Sequence, residues 1–145
     1  MQRAGAVIIV SIAIAAVGAA SAEASYRTFA SPSRAVICRI VVPPASEKEK
    51  PYVRCDIYGA TNSPPPKPAS CKFDFGFSFG MSVRGKAGRN CVSDAIADPS
   101  KAKVLAYGSK ARLGGIICKS RRSGMTCTNR SGHGFTLARG RQKLF

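Results

Sequence analysis

Six cysteines, Cys38, Cys55, Cys71, Cys91, Cys118 and Cys127, constrain the fold of this chain more than any other feature. None of them forms a Cys-x-x-Cys pair, and the single histidine, His133, stands apart from all of them. Zinc would want such pairs or a histidine partner, so no metal and no other cofactor is expected. An even set in a small chain reads instead as three disulfides, which requires an oxidising compartment.

The N-terminus supplies a route to one. Met1-Gln2-Arg3 carries one positive charge and is followed by an apolar run from Ala4 to Ala20. Small-x-small cleavage sites follow at Ala20-Ser21-Ala22 and Ala22-Glu23-Ala24, with no neighbouring cysteine to be lipidated. The run is slightly short for a membrane span of about 20 residues, and alanine and glycine dominate its second half. We expect residues 1–24 to be a signal peptide and 25–145 a single basic, disulfide-stapled, β-rich domain. Its expected place is the periplasm or the medium, with no stable membrane insertion after cleavage.

Two stretches share one local grammar. Val36-Ile37-Cys38-Arg39 and Val53-Arg54-Cys55-Asp56 are β-prone runs joined by the turn-rich segment from Pro43 to Pro51. Ile116-Ile117-Cys118-Lys119 and Met125-Thr126-Cys127-Thr128 repeat the plan around Ser120-Arg121-Arg122-Ser123-Gly124. Directly opposed, non-hydrogen-bonded residues of an antiparallel pair have Cα atoms about 4.5 Å apart, which a disulfide accepts. Of the fifteen or so pairings open to six cysteines, this favours Cys38 with Cys55 and Cys118 with Cys127, leaving Cys71 with Cys91.

Between the hairpins, Asn62-Ser63-Pro64-Pro65-Pro66-Lys67-Pro68 cannot enter a sheet interior, because proline lacks the backbone donor, and it reads as a surface strap. Phenylalanine then occupies every second position from Phe73 to Phe79, the period of one strand face. A half-buried strand is the expectation; an exposed stacking platform is the alternative. Val92 to Ala97 suggests a short helical turn, Val104 to Gly108 a short strand, Phe135 to Ala138 another, and Arg139 to Phe145 a basic tail with an apolar end. The fold class that follows is all-β, a small disulfide-stapled sandwich or barrel built from hairpins.

Several phrases follow one another in an order that resembles a family of small, secreted, cysteine-containing bacterial proteins of unassigned function. They are Phe29-Ala30-Ser31-Pro32-Ser33, Ile37-Cys38, Val53-Arg54-Cys55-Asp56-Ile57, Leu105-Ala106-Tyr107-Gly108, Gly124-Met125-Thr126-Cys127-Thr128-Asn129 and Gly132-His133-Gly134-Phe135-Thr136-Leu137-Ala138-Arg139. The resemblance runs from Phe29 to Phe145. It departs at Arg34-Ala35-Val36, where such proteins typically carry a Gly or Asn before the first Ile-x-Cys unit. It departs again at Asp74-Phe75-Gly76, where they carry Asp-Trp-Gly. It implies export and a stapled β-rich fold, and no activity.

Charge supplies the functional expectation. The net charge is +16, and removal of residues 1–24 takes away one base, Arg3, and one acid, Glu23, leaving that balance unchanged. No Asp or Glu follows Asp98, whereas Lys and Arg recur throughout that half. A field of one sign attracts polyanions. Lys119, Arg121, Arg122, Arg130, Arg139 and Arg141 are the candidate anion-binding residues, with Lys119, Arg121 and Arg122 placed at the second hairpin tip. Lipopolysaccharide phosphates, anionic wall polymers and extracellular nucleic acid are candidate partners, and the fold alone would also suit an inhibitor that docks on an envelope protein. A phosphodiesterase or nuclease using His133 is disfavoured. Acid–base chemistry usually needs two titrating groups, and Ser131-Gly132-His133-Gly134 reads as a tight turn. No catalytic residue is assigned.

Overall fold

The β-prone runs become strands, in two groups. The computed structural model describes residues 23–145. The expected signal peptide falls, apart from Glu23 and Ala24, outside the described residues. Eleven strands follow: β1 (Ser25–Ala30), β2 (Val36–Val42), β3 (Tyr52–Ile57), β4 (Asp74–Ser82), β5 (Gly88–Val92), β6 (Lys103–Val104), β7 (Lys110–Leu113), β8 (Ile116–Arg121), β9 (Gly124–Thr128), β10 (Gly134–Ala138) and β11 (Arg141–Leu144). The first sheet has the order β5-β4-β3-β2-β1-β6 and the second β11-β10-β9-β8-β7. Each is a meander of neighbouring antiparallel strands; only β6 runs parallel to its partner, β1. The sheets face each other as a sandwich.

Period-two alternation divides every strand between the shared core and the outer faces. Val36, Cys38 and Ile40 of β2, Val53 and Cys55 of β3, and Phe79 and Met81 of β4 point inward from the first sheet. Ile116, Cys118, Met125, Cys127, Phe135 and Leu137 meet them from the second. Phe79 and Phe135 touch across the gap with ring centroids 6.3 Å apart. Burial of each large apolar side chain contributes about 1.5–3 kcal/mol.

The disulfides are Cys38–Cys55, Cys71–Cys91 and Cys118–Cys127. The two hairpin bridges join directly opposed residues with Cα atoms 4.0 Å apart in each case. Both are fully buried, one in each sheet, and they meet in the core, where the Cys55 and Cys127 sulfurs lie 3.9 Å apart. A bridge closing a loop of this size stabilises the fold by about 3 kcal/mol. Sulfurs of Cys38, Cys55 and Cys127 thus gather within 4.8 Å, but as disulfides they offer no thiolate to a metal.

Several local expectations change: the strand expected over Val104 to Gly108 is only Lys103–Val104, because the chain turns at once toward β7, and the tail expected after Arg139 forms β11 by pairing with β10. Phe79 is buried and Phe75 and Phe77 are half-buried, but Phe73 precedes β4 and stands in solvent. A register irregularity between Phe75 and Phe79 bends the β4–β5 pair there. The stretch after Val92 forms no helical turn; it is a crossover that carries the chain from the β5 edge to the β1 edge, as the parallel pairing of β6 requires. Ile96 and Ala102 on this crossover bury Ala30 and Ile37 beneath them, making a second, smaller core.

Four side chains, those of Arg34, Arg54, Asp56 and Tyr58, hold the crossover down. Arg54 makes a two-point ion pair with Asp56 (Nε–Oδ1 and Nη2–Oδ2, both 3.0 Å) and reaches Asp94 at 3.0 Å. Asp56 also accepts the Ile96 N–H at 3.1 Å, and Tyr58 donates to the Ala97 carbonyl at 3.2 Å. Arg34 donates to the carbonyls of Pro99, Ser100 and Ala102. Those bonds offset the cost of its left-handed backbone, φ 57°, which is unusual outside glycine.

Burial draws the Arg54 guanidinium pKa down, but its hydrogen bonds to Asp56 and Asp94 outweigh this and hold it above the usual value. The same hydrogen bond holds Asp94 below the usual carboxylate range. A carboxyl lowered on folding contributes stability that is complete above its unfolded value and fades as pH falls through the folded one. The urea midpoint of Asp94→Asn is therefore expected below wild type at pH 7, with the gap closing as pH drops below about 3.9; a gap independent of pH contradicts the clamp. Cys91, in contrast to the core cysteines, is exposed. Mild reductant under native conditions should open Cys71–Cys91 first, which alkylation and peptide mass mapping would show; earlier labelling of Cys38 or Cys118 contradicts the buried stack.

Candidate functional site

On the second sheet the residues between the core positions point outward, and the strand register lays them out in rows. One row crosses all five strands as Lys110, Lys119, Thr126, Thr136 and Lys143. A flanking row runs Arg121, Gly124, Ala138 and Arg141, and on the other side a third row runs Arg112, Ile117 and Thr128. Six cations therefore share one outer face: Lys110, Arg112, Lys119, Arg121, Arg141 and Lys143. All but half-buried Lys119 are exposed. At the middle the hydroxyls of Thr126 and Thr136 hydrogen-bond at 3.0 Å.

Nothing neutralises this face. Among the described residues the ion pairs are Arg54–Asp56, Arg54–Asp94 and Lys101–Asp98, all outside it. Lys110 and Lys119 are moreover directly opposed across β7 and β8, an arrangement that destabilises a sheet because like charges face each other at close range. The fold keeps this repulsion in a place where a threonine or glutamate would remove it. An arrangement of donors without acceptors can hold phosphate, sulfate or carboxylate groups of a ligand.

The six sequence candidates divide. Lys119, Arg121 and Arg141 stand together on the outer face. Arg122 occupies the tight β8–β9 turn, with its guanidinium 5.2 Å from the centre of the Tyr107 ring. Arg139 is committed to structure: from the β10–β11 turn its Nε donates to the Gly59 carbonyl at 2.7 Å, tying the two sheets together. Arg130, in the β9–β10 loop, packs over Gly115 and bonds through its backbone N–H to the Val83 carbonyl at 3.1 Å. Lys110, Arg112 and Lys143 belong to the face but were not singled out in the sequence. Alternation within each strand was readable there; the cross-strand register that aligns β7, β8 and β11 was not.

The loop holding Arg130 also holds His133, and Asn129 organises it. The Asn129 amide donates to the Ser82 and Gly85 carbonyls and accepts from the N–H groups of Ser131 and His133. Gly132 takes φ 78° to close the turn, as the flanking glycines suggest. A shallow cleft beside His133 is lined by Lys86, Ala87, Leu144 and Phe145, with no Asp or Glu side chain among its lining residues.

Residues 7–145 match a family of unknown function, DUF6636. The chain belongs to that family. Membership in DUF6636 covers both sheets and all three disulfides, and it assigns no ligand. No curated protein and no solved structure matches the chain. For this DUF6636 member the three disulfides point to an oxidising environment. Among the described residues no helix is long and apolar enough to cross a membrane.

The opposed lysines give a direct test. Lys110→Glu converts a repulsive cross-strand pair into an attractive one and should stabilise the fold by about 0.5 kcal/mol, visible as a raised thermal midpoint at low salt. An unchanged or lowered midpoint would show that Lys110 and Lys119 do not oppose each other as described.

Proposed function

We propose that this protein is an exported, non-enzymatic module that binds anionic polymers through the outer face of its second sheet. The observation that carries the reading is the concentration of six cations, with no acidic side chain, on one regular five-stranded face. Charge of one sign raises encounter rates with polyanions and makes the affinity salt-dependent. The N-terminal apolar run and the disulfides support export by way of a signal peptide. In a bacterial setting the available polymers are lipopolysaccharide phosphates, anionic wall polymers and extracellular nucleic acid.

The face suits a repetitive backbone better than one small anion. Its cations lie on three strands, β7, β8 and β11, and neighbouring strands are about 4.8 Å apart, so the charges are spread and not convergent. Threonine hydroxyls at the centre add neutral donors. The Arg139 side chain is held by the Gly59 carbonyl, and Arg122 and Arg130 lie in loops outside the face, so the reading assigns binding to Lys110, Arg112, Lys119, Arg121, Arg141 and Lys143.

On duplex DNA or heparin, log affinity should fall linearly with log salt. The triple variant Lys110→Gln/Lys119→Gln/Lys143→Gln should lower the DNA slope by about 2.7, at about 0.9 for each phosphate that is no longer neutralised. Lys48→Gln/Lys50→Gln, in the β2–β3 loop of the other sheet, should leave the slope unchanged. Equal slopes for both variants, or no retention on heparin at low salt, would remove the proposal.

A further inference from the structure

The outer face of the first sheet has a different chemistry. One row across its strands reads Thr28, Arg39, Arg54, Gly80 and Gly88. The next row reads Tyr26, Val41, Tyr52 and Ser82. On the far side of the first row the crossover rises at Asp94, Ala95 and Ile96. A trough results, running across the strands between the tyrosine row and the crossover. Its main hollow has a volume of about 640 Å³ over β3, β4 and β5, and a smaller one of about 190 Å³ adjoins it at Tyr52 and Arg54.

The floor of the trough is made by two glycines paired directly across β4 and β5, Gly80 and Gly88. Glycine weakens a strand interior and often marks a place where a ligand approaches the backbone. Neither glycine has a positive φ, so backbone conformation does not demand glycine at either position. At Gly80 the Asn90 side chain fills the space where a β-carbon would go. At Gly88 a β-carbon would meet no atom within 4 Å. Packing does not demand glycine at position 88 either, and what its absence of a side chain provides is open depth.

The groups around this floor include both donors and acceptors. Tyr52, 37% exposed, lines both hollows, and Tyr26, 68% exposed, lies outside them at the β1 end of the same row, beyond Arg39; both offer ring surface. The Arg39 guanidinium lies 5.4 Å from the Tyr26 ring centre and donates from Nε to the Thr28 hydroxyl at 2.9 Å. Among the described residues no acid pairs with Arg39 or with Lys86 at the opposite end, whereas Arg54 is neutralised by Asp56 and Asp94. Asn90 donates to Ser78 through Nδ2, which leaves its oxygen as an acceptor, and the Asp94 carboxylate stands 75% exposed on the rim.

We propose that this trough binds a short acidic oligosaccharide. Sugar rings present apolar C–H faces to Tyr26 and Tyr52, and their hydroxyls can both donate to Asn90 and Asp94 and accept from Ser82 and the tyrosine hydroxyls. Carboxylates on the chain meet Arg39 and Lys86 through charge-assisted hydrogen bonds. Arg39 is on β2 and Lys86 in the β4–β5 loop, two to three strand spacings or about 10–14 Å away across the sheet, so an oligomer is required to engage both. The mixture of acceptors with donors separates this site from the second sheet. A DNA backbone brings no donors for Asp94 and Asn90, and the phosphates of any nucleic acid would meet the exposed Asp94 charge.

The test uses the Lys119→Gln/Arg121→Gln/Arg141→Gln background, so that binding at the second sheet does not mask the trough. Tetragalacturonate is the probe, with maltotetraose, tetraglutamate and oligothymidine as comparisons, followed by chemical-shift changes in the protein. Tetragalacturonate should shift Tyr26, Arg39 and Tyr52 selectively. Gly88→Val should fill the floor and weaken binding at least tenfold while keeping the wild-type thermal midpoint, since a β-branched residue suits a strand. Tyr52→Ala should weaken it similarly by a separate route. Equal binding of maltotetraose overturns the acidic requirement, and tighter binding of tetraglutamate or oligothymidine overturns the sugar assignment. No binding of tetragalacturonate, or full binding by both variants, overturns the site. None of these results bears on the salt dependence of the second sheet.

Discussion

The contact between two disulfides at the centre of the sandwich sets the arrangement of nearly everything else. Cys38–Cys55 fixes the register of β2 against β3, and Cys118–Cys127 fixes β8 against β9. A one-residue slip would turn every side chain to the opposite face, so these bridges also decide which residues point outward. Because Cys55 and Cys127 touch, the two meanders are aligned with each other as well as internally. Lys119 and Thr126 are directly opposed because the neighbouring cysteines are covalently joined, and the same reasoning puts Arg39 opposite Arg54.

The arginines serve unlike ends according to whether they have a partner. Arg34, Arg54 and Arg139 are spent on carbonyls and carboxylates that hold the crossover and a turn in place. Arg89 is half-buried, donates to the Gly76 carbonyl and lies 4.5 Å from the Phe79 ring centre; burial lowers its pKa. Arg112, Arg121 and Arg141 have no such obligation. Net charge alone overstates what is available to a ligand, since a fraction of it works inside the fold.

Much of the architecture was legible in the chain. Alternating apolar positions around Cys38, Cys55, Cys118 and Cys127 announced two hairpins, and opposition of the cysteines within them gave the bridges. The proline run behaved as an exposed strap, with Pro64 resting against Gly76. The crossover was not legible, because its fixed shape comes from Arg34, Arg54, Asp56 and Tyr58, which lie far away in sequence. The tail from Arg139 became a strand for a related reason: Arg141 to Leu144 gains its backbone partners only from β10. The basic face was half legible, since charge could be counted but its alignment depends on register. The trough had no sequence signal, as two isolated glycines carry meaning only once Gly80 is seen opposite Gly88.

All acids of the described residues lie between Glu23 and Asp98, while the second sheet is built entirely from later residues. The sandwich is therefore an electric dipole as well as a cation. In the field of an extended negative surface such a body is rotated before it arrives, with its acid-free sheet leading. The two outer faces of a sandwich point in opposite directions, so an approach guided in this way leaves the first sheet, with its glycine floor and its tyrosines, facing away from the surface and open to the surrounding fluid.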